Sequence, residues 1–252
     1  MKVLLRIIKI IIGLAALASV IAFIAERIDE IKYKGAKFFR KPTGIYERFI
    51  KRPLDCFLSC GAVIVLSPIL LFLTIAGAIN MKGNPFFTQN RPGRKDPKTG
   101  CERIFRLIKF RSMTNEKDAD GNLLPDEQRL KSYGKRLRAS SLDELPELLN
   151  IIKGDMAVIG PRPLLVQYLE RYNEHQARRH EVRPGLTGYA QAHGRNAMTW
   201  EDKFDCDVEY VDNISFQNDV QILIDTVKTV VKREGISNAD SATMTEFMGS
   251  DT

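Results

Sequence analysis

Two adjacent carboxylates, Asp143 and Glu144, stand in the segment Arg138-Ala139-Ser140-Ser141-Leu142-Asp143-Glu144-Leu145-Pro146, just before an apolar run. Three other segments each hold a cation between conformationally restricted residues: Gly160-Pro161-Arg162-Pro163, Arg183-Pro184-Gly185 and Gly194-Arg195-Asn196. Guanidinium groups held in this way bind phosphate oxygens bidentately, and a carboxylate can hold Mg²⁺ against a diphosphate, so the combination suits phosphate chemistry. Adjacent residues on a helix point about 100° apart, which gives the two carboxylates different tasks: one attacks phosphorus and the other holds the metal. A carboxylate is a poor nucleophile until its target is neutralised, and clustered cations with Mg²⁺ provide that help. The same stretch also has a purely structural interpretation. Ser141 and Glu144 have capping-box spacing, and Pro146 suits a first helical turn if Asp143 is the N-cap; either arrangement makes one carboxylate structural.

The elements that must present these groups are partly legible. Phe86 to Asn90 and Arg103 to Arg111 read as two strands separated by the turn-rich Pro92-Gly93 and Lys98-Thr99-Gly100 region, hence a small β-hairpin. Alternate residues of a strand share a face, so Lys109 and Arg111 aim at one spot, or else line a solvated face. The acidic loop Asp118-Ala119-Asp120-Gly121-Asn122 does not fit a calcium loop, because Leu123 and Arg129 fall where glycine and glutamate are required. A helix is expected from about Pro125 to Arg138. Trp200, Phe204, Val208 and Val211 repeat at helical spacing, as do Val220, Leu223, Ile224, Val227 and Val230, and both sets read as core helices. From Ser237 to Thr252 the chain is polar and aperiodic, as in a disordered tail.

An uncharged stretch from Cys56 to Met81 is interrupted by Ser67 and Pro68. As a straight helix it would extend about 39 Å, against a hydrocarbon core of about 30 Å. Pro68 has no N–H for the carbonyl of Ile64, so a bend is expected there, with the Ser67 hydroxyl available to the freed carbonyl. Lys51 and Arg52 precede the stretch while Lys82, Arg91 and Arg94 follow it, which puts both ends on the Lys/Arg-rich side. A re-entrant helical hairpin is expected, with a kinked spanning helix as the alternative. A second apolar run, Ile10 to Ala25, spans only about 24 Å as a helix and superficially resembles a signal peptide, with Ala16-Leu17-Ala18 as a cleavage site. Its downstream flank is the more basic one, so a spanning helix would leave the remainder of the chain in the cytoplasm.

The 252 residues suffice for one catalytic domain with a core and an anchor. The net charge of +7 clusters around the apolar segments, which suits anionic headgroups; no base-stacking or groove-reading motif accompanies it, so nucleic acid is not an expected partner. The four cysteines lack metal-ligand spacing, consistent with a reducing compartment.

Taken in order, Lys51-Arg52-Pro53-Leu54-Asp55, the Ser67-Pro68 break, Thr88-Gln89-Asn90-Arg91-Pro92-Gly93, Lys109-Phe110-Arg111-Ser112-Met113, Ser141-Leu142-Asp143-Glu144-Leu145-Pro146, Gly160-Pro161-Arg162-Pro163 and Arg183-Pro184-Gly185-Leu186-Thr187-Gly188 carry a resemblance. From Lys51 to Gly235 the chain resembles the monotopic polyprenyl-phosphate phosphoglycosyl transferases, the bacterial sugar transferase family, especially its small members that initiate glycan assembly. The resemblance implies transfer of a sugar-1-phosphate from a UDP-sugar to a polyprenyl phosphate such as undecaprenyl phosphate, with release of UMP. It implies Asp143 as the nucleophile of a covalent phosphosugar intermediate and Glu144 as the Mg²⁺ ligand. Arg162 would bind phosphate with Lys109 and Arg138 in support, and Arg111, Arg183 and Arg195 complete the expected phosphate-binding set. The Ser67-Pro68 break corresponds to the family's re-entrant helix. The expected fold is α+β, mostly helical: a monotopic membrane protein with a re-entrant helical hairpin and a small β-hairpin. Its expected division is an N-terminal membrane-associated extension (1–46), a re-entrant helix (47–82), a cytoplasmic catalytic domain (83–236) and a tail (237–252). The expected location is the bacterial inner membrane, with membrane lipids and downstream glycosyltransferases as further partners. Tyr189 and His193 fall where related sequences vary, which leaves the sugar open. A non-enzymatic membrane anchor or scaffold that kept the fold is the competing class.

Overall fold

The computed structural model describes residues 2–193, 198–232 and 246–249. Helix α1 (Lys2–Tyr33) extends well past the expected Ile10 to Ala25 run. Its portion Lys9–Tyr33 is long and apolar enough to cross a membrane and is mostly unburied. A short π-helical turn (Tyr46–Ile50) leads into α2 (Lys51–Val65), and α3 (Ser67–Asn80) follows after a single residue. The two helical arms meet at 65°. The break has the expected chemistry: Ser67 Oγ donates to Ile64 O at 2.7 Å, satisfying the carbonyl that Pro68 cannot reach. Leu71, Phe72, Ile75 and Ile79 lie exposed along α3.

β1 (Phe86–Lys95) and β2 (Glu102–Phe110) form the expected antiparallel hairpin, in a register that places Phe86 opposite Phe110 and Gln89 opposite Leu107. β1 is longer than the sequence suggested, because the chain continues through Pro92 with an irregularity before Lys95. The expected helix from Pro125 to Arg138 is two: α4 (Asp126–Arg129) and α5 (Ser132–Ala139). The interruption has a clear cause, since Arg129 O accepts from Thr114 N at 3.1 Å and Arg129 Nε donates to Thr114 O at 2.8 Å. Backbone groups drawn to a neighbouring segment cannot also continue a helix.

A 3₁₀ turn (Leu142–Glu144) precedes α6 (Glu147–Lys153), and β3 (Ala157–Ile159) follows. α6 is fixed at its middle and at its C-terminal end. Asn150, fully buried, accepts from Ile108 N at 3.1 Å and donates to Arg106 O at 2.8 Å, tying the helix to β2. Arg52 of α2 donates to the carbonyls of Ile151 and Ile152 at 2.6 and 2.9 Å, so a cation occupies the negative end of the helix. After α7 (Glu174–Ala177), β3 pairs in parallel with β4 (Gly185–Thr187). The pairing depends on the absence of a side chain, because a Cβ on Gly185 would lie 2.1 Å from Gly160 N.

α8 (Tyr189–His193), α9 (Trp200–Asp212) and α10 (Phe216–Lys232) complete the body. One core gathers Ile159, Val182, Tyr210, Val211, Ile214 and Ile222; a second joins Phe105 and Leu107 of the hairpin to Leu148, Ile151 and Met156. α9 buries its expected face. α10 does not: Val220, Leu223, Ile224 and Val227 are exposed, while Asp219 and Ile222 are buried. The inward side of α10 is held by hydroxyls, with Thr226 Oγ1 2.8 Å from Thr187 Oγ1 and Thr229 Oγ1 donating to Ala192 O at 3.1 Å. A 3.6-residue period identifies an apolar stripe but not the side that meets the body. The expected tail lies largely outside the described residues. Within it, however, Phe247 is fully buried among Tyr168, Tyr172, Trp200 and Phe204, so this residue is part of the fold.

Candidate active site

The 3₁₀ turn places the carboxylate pair. Ser141 enters it at φ +54°, a left-handed conformation that is costly for a residue with a Cβ. Neither capping arrangement forms. No side-chain cap bond is made at Ser141 or at Pro146, and the Glu144 carboxylate points elsewhere. Glu144 Oε1 accepts from Lys109 Nζ at 2.8 Å and from Arg162 Nη2 at 2.6 Å. Lys109 is delivered by β2, which Asn150 locks to α6, and Arg162 by the proline-flanked loop after β3.

The two carboxyls diverge electrostatically. Burial, together with neighbouring Glu144, pushes Asp143 up to about 6 against the pull of Lys109, Arg138 and Arg162. Burial would raise Glu144 as well, but Arg162 and Lys109 outweigh it and draw the group down to about 2. Glu144 in turn holds Arg162 above its ordinary range. Asp143 is thus a desolvated carboxylate whose neighbour has taken up Lys109 and Arg162.

Asp143 and Glu144 face a cavity of about 990 Å³ that Lys109, Arg111, Arg138 and Arg162 also line. The structure therefore brings together six of the expected site residues. Arg138 is oriented by Ser112, whose Oγ accepts from its Nε at 2.9 Å. Arg183 is a correction: it is absent from this cavity, donates through Nε to Gly154 O at 2.9 Å, and pairs with Glu26 of α1 and not with any group at the cavity. Its flanking Pro184 and Gly185 are committed to the parallel β3–β4 pairing, which turns the arginine toward the C-terminal end of α6. Arg195 lies outside the described residues. His193 also stands away from the cavity, where its ring stacks on Tyr189 with centroids 4.3 Å apart.

Several residues were missed. Glu147 Oε1 lies 3.0 Å from Lys109 Nζ, so one ammonium bridges two carboxylates; burial pushes Glu147 up to about 7 against that ammonium. Its position three residues after Glu144 was the available signal, since such residues share a helical face. Arg91, in the quoted β1 motif, lines the cavity and donates to Gln89 Oε1 at 2.7 Å and to Pro163 O at 3.2 Å. In the cavity wall, buried Arg179 donates to Asp207 Oδ2 at 2.6 and 3.0 Å and to Arg162 O at 2.7 Å, which holds the loop that carries Arg162. No spacing rule joins residues so far apart.

Among the described residues no group of three His, Cys, Asp or Glu side chains converges to hold a metal. Mg²⁺ does not need one, because it is commonly bound through one or two carboxylates with substrate phosphates and water completing an oxygen shell. Glu144, a hard oxygen donor at the cavity held in its anionic form, fits that mode.

The family model for bacterial sugar transferases matches residues 46–233. The chain is 50% identical over 202 residues to the uncharacterized sugar transferase EpsL of Bacillus subtilis (strain 168), covering 80% of this chain and 96% of that protein. It is 33% identical over 206 residues to the undecaprenyl-phosphate galactose phosphotransferase of Salmonella typhimurium, covering 75% of this chain but 42% of that protein. Over 204 residues it is 33% identical to the exopolysaccharide production protein ExoY of Sinorhizobium fredii, covering 73% of this chain and 87% of that protein. With its hairpin, cation set and carboxylate pair inside the matched span, the chain belongs to the bacterial sugar transferase family.

Proposed function

We propose that this protein transfers a sugar-1-phosphate from a UDP-sugar to a polyprenyl phosphate, of the undecaprenyl type, at the cytoplasmic face of a bacterial inner membrane. Membership of a family with undecaprenyl-phosphate sugar phosphotransferases supports sugar-phosphate transfer to a lipid carrier. The observation that carries the reading is the division of labour in the pair: Glu144 takes Lys109 and Arg162, and Asp143 is left desolvated at the cavity.

In the first step an Asp143 carboxylate oxygen attacks the sugar-bearing phosphorus of the donor. The phosphoanhydride bond breaks, its electron pair leaves with UMP, and a phosphosugar remains on Asp143. In the second step a phosphate oxygen of the lipid carrier attacks the same phosphorus and Asp143 departs as carboxylate. A carboxyl pushed up to about 6 is mostly ionised at neutral pH, yet more nucleophilic than a solvated one. Lys109, Arg138 and Arg162 offset the charge that builds on the phosphoryl oxygens. Mg²⁺, held by Glu144, would neutralise the diphosphate and ease departure of UMP.

The bent α2–α3 pair and the exposed apolar side chains of α3 support a re-entrant hairpin that dips into one leaflet, with α1 as a spanning helix. Such an arrangement sets the cavity near the headgroup plane, where the lipid phosphate lies. The extension 1–46, re-entrant segment 47–82 and catalytic domain 83–236 remain our proposed division.

The test is a sugar-labelled UDP-sugar given to membrane-embedded enzyme without acceptor. Label should become covalently attached, UMP should appear in equal amount, and Asp143→Asn should abolish both while remaining folded and membrane-bound. Full turnover by Asp143→Asn would refute the nucleophile assignment, whereas absence of any turnover by the wild-type protein would favour the scaffold alternative. Turnover without any trapped adduct would indicate direct displacement with Asp143 as base.

A further inference from the structure

The C-terminal segment seats one residue with unusual completeness. Phe247 is 1% exposed. Its ring centroid lies 4.9 Å from that of Phe204, 5.6 Å from Trp200, 5.7 Å from Tyr168 and 5.8 Å from Tyr172. The contacts mix edge-on, tilted and stacked geometries, the arrangements aromatic quadrupoles favour. Its backbone is gripped as well. Phe247 N donates to Tyr168 Oη at 3.3 Å, and Arg171 Nη1 donates to Phe247 O and, at 2.9 Å, to Glu246 Oε1. Gln167 adds a bond to the same Glu246 oxygen at 2.6 Å.

This nest backs directly onto the catalytic cavity. Trp200 is both a wall of the cavity and a wall of the nest, so Phe247 packs behind the indole. Tyr172, which stacks on Phe247, accepts from Arg179 Nη1 at 3.1 Å through its hydroxyl. Arg179 then donates to Arg162 O at 2.7 Å, and Arg162 holds Glu144. Two routes thus run from one tail residue to the cavity, one through packing and one through hydrogen bonds. Removing the ring would leave a void behind Trp200, and a close-packed wall next to a void loses its single position.

We propose that Phe247 is a positioning residue: by filling the aromatic nest it fixes the Trp200 wall and the Arg162 loop, so that docking of the tail and binding of the anionic nucleotide ligand are coupled. The proposal rests on the donor reading given above for this cavity, and its experiment uses UDP as the probe so that turnover is not required. Trp200 is the single tryptophan of the chain, which makes its emission a direct report of the nest.

Full-length Phe247→Ala in nanodiscs should show red-shifted Trp200 emission, stronger acrylamide quenching and a Kd for UDP raised about 5- to 10-fold by calorimetric titration, the size of an ordinary coupling between sites. The KM for the donor should rise in parallel while the KM for the lipid acceptor does not. Phe247→Leu, which refills most of the void, should recover most of the UDP affinity. Arg171→Gln should shift emission and Kd in the same direction as Phe247→Ala, because it releases the segment while keeping every aromatic ring of the nest. Unchanged Trp200 emission in both Phe247→Ala and Arg171→Gln would overturn the docking itself. A shifted emission with wild-type UDP affinity would overturn the coupling. Wild-type enzyme that binds UDP but transfers nothing would defeat the transferase proposal alone, since the UDP affinities of the variants still decide this one.

Discussion

Asp207→Asn isolates the buried pair that holds the Arg162 loop. The Arg179 and Asp207 side chains are 2% and 6% exposed, and two short bonds join them through a single carboxylate oxygen. Burial pushes the Asp207 carboxyl up, and Arg179 and Lys203 act against it. The isosteric amide keeps the shape but leaves the guanidinium buried without its counter-charge. Breaking a buried pair from one side costs about 3–5 kcal/mol. For a chain of this size that corresponds to a fall in Tm of roughly 6–20 °C. Arg179 also donates to Arg162 O, so the loss should reach the cavity and lower transfer activity by at least about tenfold. Thermal unfolding in nanodiscs and initial rates of UMP release measure the two effects. The volume-matched double variant Arg179→Met/Asp207→Leu removes both charges and should recover most of the stability, because well-packed apolar replacements of buried ion pairs are tolerated. It should not recover activity, since Arg162 O and Tyr172 Oη lose their donor. A Tm change under about 2 °C in Asp207→Asn, or full activity in the double variant, would refute the reasoning.

Two further outcomes follow from other elements. Replacing Pro68 with Leu returns an N–H to Ile64 O and removes the ring clash, which is worth about 3 kcal/mol in a helix interior, so the 65° bend should open. Labelling of a cysteine placed at Lys82 should then change sides, with loss of activity; intact topology would mean that packing of α2 against α6 sets the hairpin. His180 is buried beside Gly93 O and Arg179, and burial draws its pKa down to about 3 from 6.5. The unfolded chain therefore binds a proton that the folded chain refuses between those values, and stability falls as pH drops below 6.5, by about 2 kcal/mol at pH 5. His180→Gln should flatten this acid limb in Tm measured from pH 7 to 5, and an unchanged slope would assign the limb to other groups.

The local chemistry of this protein is readable because it depends on neighbours in the chain. Pro68 lacks an N–H wherever it is placed, and Ser67 is always within reach of Ile64 O, so a bend with that hydrogen bond could be anticipated. Alternation in β2 likewise put Lys109 and Arg111 on one side, and both reach the cavity. The capping alternatives were equally local and equally reasonable, and were decided by partners far away: Glu144 is drawn to Lys109 and Arg162 from other elements. Arg183 shows the opposite case, in which a motif read as phosphate-binding finds its counter-charge in Glu26 of the N-terminal helix.

Periodicity, proline chemistry and motif order thus determined the β-hairpin, the break at Pro68, the helix α9, the carboxylate pair and the family. The tertiary structure alone decided which face of α10 turns inward, that Glu147 shares the Lys109 ammonium, that Arg179 and Asp207 support the Arg162 loop, and that Phe247 belongs to the fold. The physical reason is common to all four. A side chain's type and local spacing fix what it can bond to, whereas burial and long-range pairing fix what it does bond to, and these depend on segments that meet only when the chain is folded.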